Sequence, residues 1–366
     1  MSITKQRLSL QSPARPLRGL LVIALFLAFA SLPIAASAIE IKNVKGDGTC
    51  PADWVLLSPA EAKANQAAAC RVLGQWDIAR LAGGGSMDGP GYNCQIRSSD
   101  KRTLGNSLCI KPETLEPGKL KVCMYPGFLP FVGINKIQEW IGWDVTYLQG
   151  FAGQQNLRFV PVNIPDFNNI WTLPGNNTCD IAASGISDLP ARRQQTGTTG
   201  DWSDHYYSVY RSFAVRSADD GKLKDVTDLK GKTAIVTLSS TADLDLTNRL
   251  ACAKISECAN HQITPSCVDV LRTNNEEESA KKVLDGSAFA YGGGLGSNQY
   301  LARTLGGLAV AWPHCNTEKV QNDCKPVDEP FSFVVRHAST GLLEALNEYI
   351  ANQNYPGKVP TGLTCR

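Results

Sequence analysis

Ile181, Ala182 and Ala183 form a short apolar run that stops at Ser184-Gly185. This is the pattern of a buried strand ending where small residues and backbone N–H groups begin. Leu189-Pro190 follows, and a proline fits the first turn of a helix. A chain that steps from buried strand to tight turn to helix covers its strands with helices.

The same step recurs along the chain. Pro117-Gly118 punctuates the sequence, after which it predicts a strand near 120, a helix near 144–155, a strand over 157–162, a helix near 166–173 and a strand over 180–183. Such alternation favours a parallel sheet that binds ligands at the carboxyl ends of its strands. Phe213 to Arg216 leads onward to a second strand, Ala234 to Leu238, which ends in Ser239-Ser240-Thr241. Helices over about 242–253 and 276–284, with an apolar run from Ala288 to Tyr291, repeat the pattern. Two strand ends with polar tips predict two facing lobes. After Phe331 to Val335, the amphipathic stretch from Thr340 to Asn352 is expected to return and close the first lobe.

The expected organisation is a signal peptide over 1–38, a disulfide-stapled module over 39–118, a first lobe from 119–213 and 334–366, and a second lobe over 214–333. Lys5, Arg7, Arg15 and Arg18 give a basic start, Leu20 to Ala30 is apolar, and Ala36-Ser37-Ala38 is a small-residue cleavage site. The apolar run is too short to span a bilayer. The expected product is therefore an exported, soluble protein of about 328 residues, cut after Ala38. Removing the four basic residues from the formal +2 leaves a net charge of about −2, which gives no footing for nucleic acid.

All twelve cysteines lie beyond residue 38, and an even count in an exported chain points to disulfides. Within the module, a helix is expected over 59–81, ended by Gly83-Gly84-Gly85. That glycine run lacks the lysine and preceding strand of a phosphate cradle and reads as a loop. Cys252, Cys258, His261 and Cys267 lack the short C-x-x-C pairs of a zinc site and read as disulfide partners. His314-Cys315 and Cys324 bracket a polar loop, read as a stapled hairpin or crossover. No metal or cofactor is called for.

Eight residues after Ser184, Arg192 would lie beside the end of its strand. Arginine matches a carboxylate through two parallel charge-assisted hydrogen bonds. The other reading is a surface arginine on an ordinary strand-helix unit. Phe128 has a core-packing alternative beside Leu129 and Phe131, and Ser240 and Thr241 have a helix-capping one.

In collinear order, several stretches resemble the type II periplasmic binding proteins, specifically the amino-acid-type solute-binding protein family 3. LKVCMYPGFLPFVG, from Leu120, is similar to the opening strand and its aromatic-x-Pro-Phe turn. IGWDVTYL is similar to the G-F-D helix start, CDIAASGISDLPARR to the segment ending in P-x-R, and DWSDHYY to F-S-x-P-Y-Y. DLKGKTAIVTLSSTAD resembles the second-lobe strand and loop, and EPFSFVVRHASTGLLEALNEYI the return crossover. The resemblance implies a two-lobed α/β fold with a hinge. It also implies capture of a small carboxylate-bearing solute, amino-acid-like or an organic acid, for the membrane permease of an ABC importer. The protein would be a periplasmic monomer and not an enzyme. Carried over, Phe128 would pack on the ligand, Ser184, Gly185 and Ser187 would donate to it, and Arg192 would grip its carboxylate. Ser240 and Thr241 would close over that group from the second lobe.

Two departures accompany the resemblance. Gly293, in GSAFAYGGGLGS, stands about where the family's amino-acid binders place the acid that holds an ammonium, and a buried ammonium without a carboxylate is costly. An ordinary α-amino acid is therefore a less expected ligand. Ser239 stands where the family often has glycine. Cys123 lies in the first strand and Cys179 immediately precedes the third, and those strands neighbour each other in the family fold, which implies a disulfide. Their context also resembles the non-transport accessory proteins of periplasmic quinoprotein dehydrogenases. An enzyme resembling cyclohexadienyl dehydratase would need a general acid, for which Asp188 and Asp243 are the candidates, with capping or solvated charge as their other reading.

Overall fold

The computed structural model describes residues 41–45, 50, 54–56, 106–244, 246, 268–320 and 323–357. The expected cleavage segment, the helix over 59–81, the triple-glycine loop, and Cys252, Cys258, His261 and Cys267 lie outside these residues.

Two five-stranded sheets carry the molecule. In the first, Lys119–Met124 lies between Arg158–Asn163 and Ile181–Ala182, parallel to both. Val334–Arg336 then adds antiparallel to Ile181–Ala182, and Gly200–Trp202 antiparallel to it. The second sheet runs in the order Asp269–Thr273, Thr233–Thr237, Ala290–Gly294, Arg211–Arg216, Leu308–His314. Its first three strands are parallel and its last two pairings antiparallel. The sheets are thus mixed rather than parallel throughout. Each keeps three parallel strands at one side, while a crossing segment supplies the strand of opposite sense, Val334–Arg336 in the first and Arg211–Arg216 in the second.

Period-two alternation buries both faces of these strands. Leu120, Val122 and Met124 enter one core cluster while Cys123 enters another. Phe213 and Val215 likewise face one second-lobe cluster and Ala214 the other. Cys123 and Cys179 are disulfide-bonded. The helix Leu342–Asn352 returns to the first lobe through Leu342, Ala345, Leu346 and Tyr349, the i, i+3, i+4, i+7 stripe of an amphipathic helix. In place of a helix over 166–173 there is only a 3-10 turn, Ile170–Thr172. Asn168 N–H bonds back to the Asp166 carboxylate and Asn169 is left-handed, so the segment starts as a turn.

The described residues of the N-terminal stretch form a three-stranded sheet of Ile41–Lys45, Asn106–Ile110 and Val55–Leu56, with Cys50 bonded to Cys109. Val55 and Ile110 share the first lobe's core. The buried Asp180 carboxylate accepts from Leu115 N–H and Lys121 N–H, fastening the connecting segment to the sheet. In the second lobe, Asn316–Val320 and Asp323–Val327 pair as antiparallel strands after the disulfide-bonded Cys315. Between the lobes, Tyr207–Ser208 pairs with Pro330–Phe331 to make a two-stranded crossover.

Candidate functional site

The turn at Ser184-Gly185 takes positive φ at both residues, 99° and 57°. Asp144, wholly buried in the first turn of the helix Trp143–Gln154, holds it there. Its Oδ2 accepts from Ser184 N–H and Gly185 N–H, each at 2.9 Å, and Tyr206 and Tyr355 donate their hydroxyls to the same carboxylate. Burial raises the Asp144 pKa, opposed by these four bonds. Both N–H groups expected to meet a ligand are therefore occupied. Ser184 does not face the cleft at all: its hydroxyl bonds the backbone of Tyr125. Gly185 does line the cleft, for a steric reason. A Cβ there would stand 2.4 Å from Phe128 Cε1 and 2.8 Å from Phe331 Cε2. Phe128 stacks on Phe131 at 4.8 Å, as its core-packing reading expects, and the same ring forms one wall of the cavity.

Phe128, Gly185, Ser187, Arg192, Ser240 and Thr241 converge on one cavity between the sheets. Its volume of about 30 Å³ has room for two or three waters. Arg192 comes from the helix Pro190–Thr196 and is buried, not a surface arginine, with its guanidinium 4.4 Å above the Trp171 ring. Nη1 donates to Ser187 O at 3.1 Å and Nη2 to Ser239 O at 3.0 Å, so one guanidinium joins the two lobes. No carboxylate pairs with it among the described residues. Desolvation pulls its pKa down to about 10, against the field of Glu329 and with that of Arg211.

Ser240 caps the following helix, accepting from Asp243 N–H, while Thr241 gives its hydroxyl to Glu329. Ser239, the family's frequent glycine position, sits at φ 59°, a conformation that glycine adopts without strain. Asp188 and Asp243 do not line the cavity. Burial pushes the Asp188 pKa up, but Arg193 and His205 outweigh it and hold the carboxyl below its ordinary value. Asp243 pairs with Arg272 at 2.9 Å.

Three charged residues were not singled out by sequence. Glu276, 5% exposed, lines the cavity from the first turn of the helix Glu276–Leu284. Tyr291 and Ser297 donate to its two oxygens, at 2.5 and 2.9 Å. Burial raises its pKa to about 7 against those bonds and Arg211. Its signal is present in the sequence: Glu276 shares a helical face with Ser279, Ala280 and Val283, whereas Glu277 and Glu278 pair outward with Lys281 and Lys282. Arg211 and Glu329 form an ion pair at 2.8 Å in the crossover region, and Glu329 is 1% exposed. The short runs around them carry no comparable pattern.

A family profile described as "Bacterial extracellular solute-binding proteins, family 3" matches residues 120–360. The chain belongs to this family. Its members are binding proteins rather than enzymes. The arginine-binding extracellular protein ArtP of Bacillus subtilis (strain 168) is 31% identical over 100 residues, 27% of this chain and 36% of ArtP. The match thus spans about a third of that relative's length. An ancestral arginine-binding protein bound to arginine superposes with a TM-score of 0.52 at 20% identity, covering 64% of this chain and 92% of that one. An amino acid ABC transporter substrate-binding protein from Streptococcus pneumoniae bound to L-arginine gives 0.52 at 22%, covering 64% and 88%. An ancestral amino acid-binding protein, a precursor of cyclohexadienyl dehydratase, gives 0.52 at 19%, covering 64% and 89%. At these identities the superpositions establish the shared two-lobed fold.

Proposed function

We propose that this protein captures a small amino-acid-like solute in the cleft between its sheets and delivers it to the membrane permease of an ABC importer. The observation that carries the reading is the pairing of opposite polarities in one cavity. Arg192, with Ser187, Ser240 and Thr241, is suited to a carboxylate. Glu276 is suited to the ammonium or side-chain cation at the other end. Gly293, on the strand Ala290–Gly294, leaves the family's usual acidic position empty, and Glu276 supplies a carboxylate from the helix Glu276–Leu284, which removes the objection to an α-amino acid. The arginine-binding names of ArtP and of the S. pneumoniae protein's ligand favour a solute that carries a cation. The protein would work as a periplasmic monomer, cut after Ala38.

A thermal-shift screen of the mature protein against amino acids and small organic acids tests this. A ligand bound only by the folded state raises Tm by mass action. A shift confined to amino acids supports capture, and no shift from a folded protein refutes it. The second reading, an accessory protein of a periplasmic quinoprotein dehydrogenase, draws on the small cavity and on the direct contacts that close it. Tyr125 donates across the cleft to Asn274 O, Ser239 to Asn168 and Ser297 to Leu129 O. Co-purification of a dehydrogenase would favour it.

A further inference from the structure

Two of the donors that the cleft offers to a carboxylate, Ser187 and Thr241, already hold one. Glu329 Oε1 accepts from Ser187 Oγ of the first lobe at 2.5 Å, from Thr241 Oγ1 of the second, and from Arg211 Nη2 at 2.8 Å. Two hydroxyls and a guanidinium on one buried oxygen are the set expected for a bound acid. The other oxygen, Oε2, has no partner among the described residues. Glu329 also hangs from the crossover: its carbonyl accepts from Val209 N–H at 2.9 Å, and Pro330–Phe331 pairs with Tyr207–Ser208. Glu329 thus stands at the junction of the lobes, so opening the cleft must part it from Ser187 on one side or from Thr241 on the other.

We propose that Glu329 is an internal ligand of the cleft, its carboxylate standing in the position of a solute's carboxylate and drawing the lobes together without solute. The proposal rests on reading the cleft as a solute site. Two consequences follow from the geometry. The ligand-free protein is closed, held by the chain's own acid. A solute that carries a carboxylate binds by displacing Glu329 from the Ser187 and Thr241 hydroxyls, so Glu329 sets which acids are strong enough competitors to enter.

The test is small-angle scattering of the mature, disulfide-intact protein stripped of ligand, with E329Q and T241V alongside. Wild type is expected to be compact, and both variants to show a larger radius of gyration. L-Arginine and succinate then serve as carboxylate probes in calorimetry. With Arg211 released from its partner, E329Q is expected to bind the better probe at least about tenfold more tightly than wild type and to become compact again. T241V keeps the Arg211–Glu329 ion pair and decides the opening alone if E329Q does not fold. A ligand-free wild type as expanded as the variants, or variants as compact as wild type, overturns the proposal. If neither probe binds any form, solute capture of this class fails, while the scattering comparison still decides whether Glu329 closes the cleft.

Discussion

Replacing Glu276 by glutamine should remove a specific pH dependence from the stability of this protein. Burial lifts the Glu276 pKa from its ordinary 4.5 to about 7, against the bonds from Tyr291 and Ser297 and the field of Arg211. The folded state therefore keeps this proton to a higher pH than the unfolded chain does. Its contribution is fully present below pH 4.5, falls as pH rises towards 7, and is flat above. Each pH unit in that window is worth about 1.4 kcal/mol. The stability lost across it is then about 3 kcal/mol. Glu276→Gln keeps the shape and an oxygen acceptor but carries no titrating proton. Urea unfolding of both proteins, with disulfides intact, at intervals from pH 4.5 to 8 isolates the effect as a difference curve. The difference between wild type and variant should decline by about 3 kcal/mol and then level off. A difference that stays constant, or that grows with pH, refutes the placement of an unpaired, desolvated acid in this cavity. The same proton couples to solute: a cation held by Glu276 should bind more tightly as pH rises to 7, and the variant should lose that slope.

Asp144→Ala strips four donors of their acceptor, at about 1–3 kcal/mol for each buried group, so unfolding should move by several kcal/mol, and Asp144→Asn by much less; equal effects would exclude its hold on the turn. Gly185→Ala places a methyl against Phe128 and Phe331 at a positive φ, which should cost about 1–3 kcal/mol or more in a melting curve; a neutral result would mean that the rings are not so close. Arg192→Ala should weaken solute binding by about 2–5 kcal/mol in calorimetry. It also removes donors from Ser187 O and Ser239 O, and Arg192→Lys should not restore the bridge, because a point charge lacks the fork.

The fold was largely legible in the sequence because its strands are short apolar runs bounded by small residues, as at Ile181-Ala182 and Thr233–Thr237. What the runs do not encode is direction. The mixed sense of each sheet depends on where the crossing segments re-enter, a property of long-range pairing. The lining of the cavity was legible where a polar side chain follows closely on a strand end, as with Arg192 on the helix after Ile181–Ala182 and Thr241 after Thr233–Thr237. It failed at Ser184, whose backbone donors are taken by an acid forty residues earlier that looks like any first-turn aspartate. Glu276 was hidden among three consecutive glutamates, and only the helical face it shares with Ala280 and Val283 separates it from the other two. Glu329 and Arg211 meet 118 residues apart, a juxtaposition no local pattern carries.

The return of the C-terminal segment also imposes an order of assembly. All five strands of the second sheet lie between Arg211 and His314, so that lobe is contiguous in the chain. The first sheet is different, because Val334–Arg336 inserts between Gly200–Trp202 and Ile181–Ala182. Domains tend to fold as their sequence is completed. The first lobe must wait, half built, for residues made after the whole of the second, and the Asp144 centre waits longer still for Tyr355. A truncated chain thus has its second lobe but neither a finished first sheet nor the fixed turn at Ser184, so the wall that carries Phe128 and Gly185 forms last.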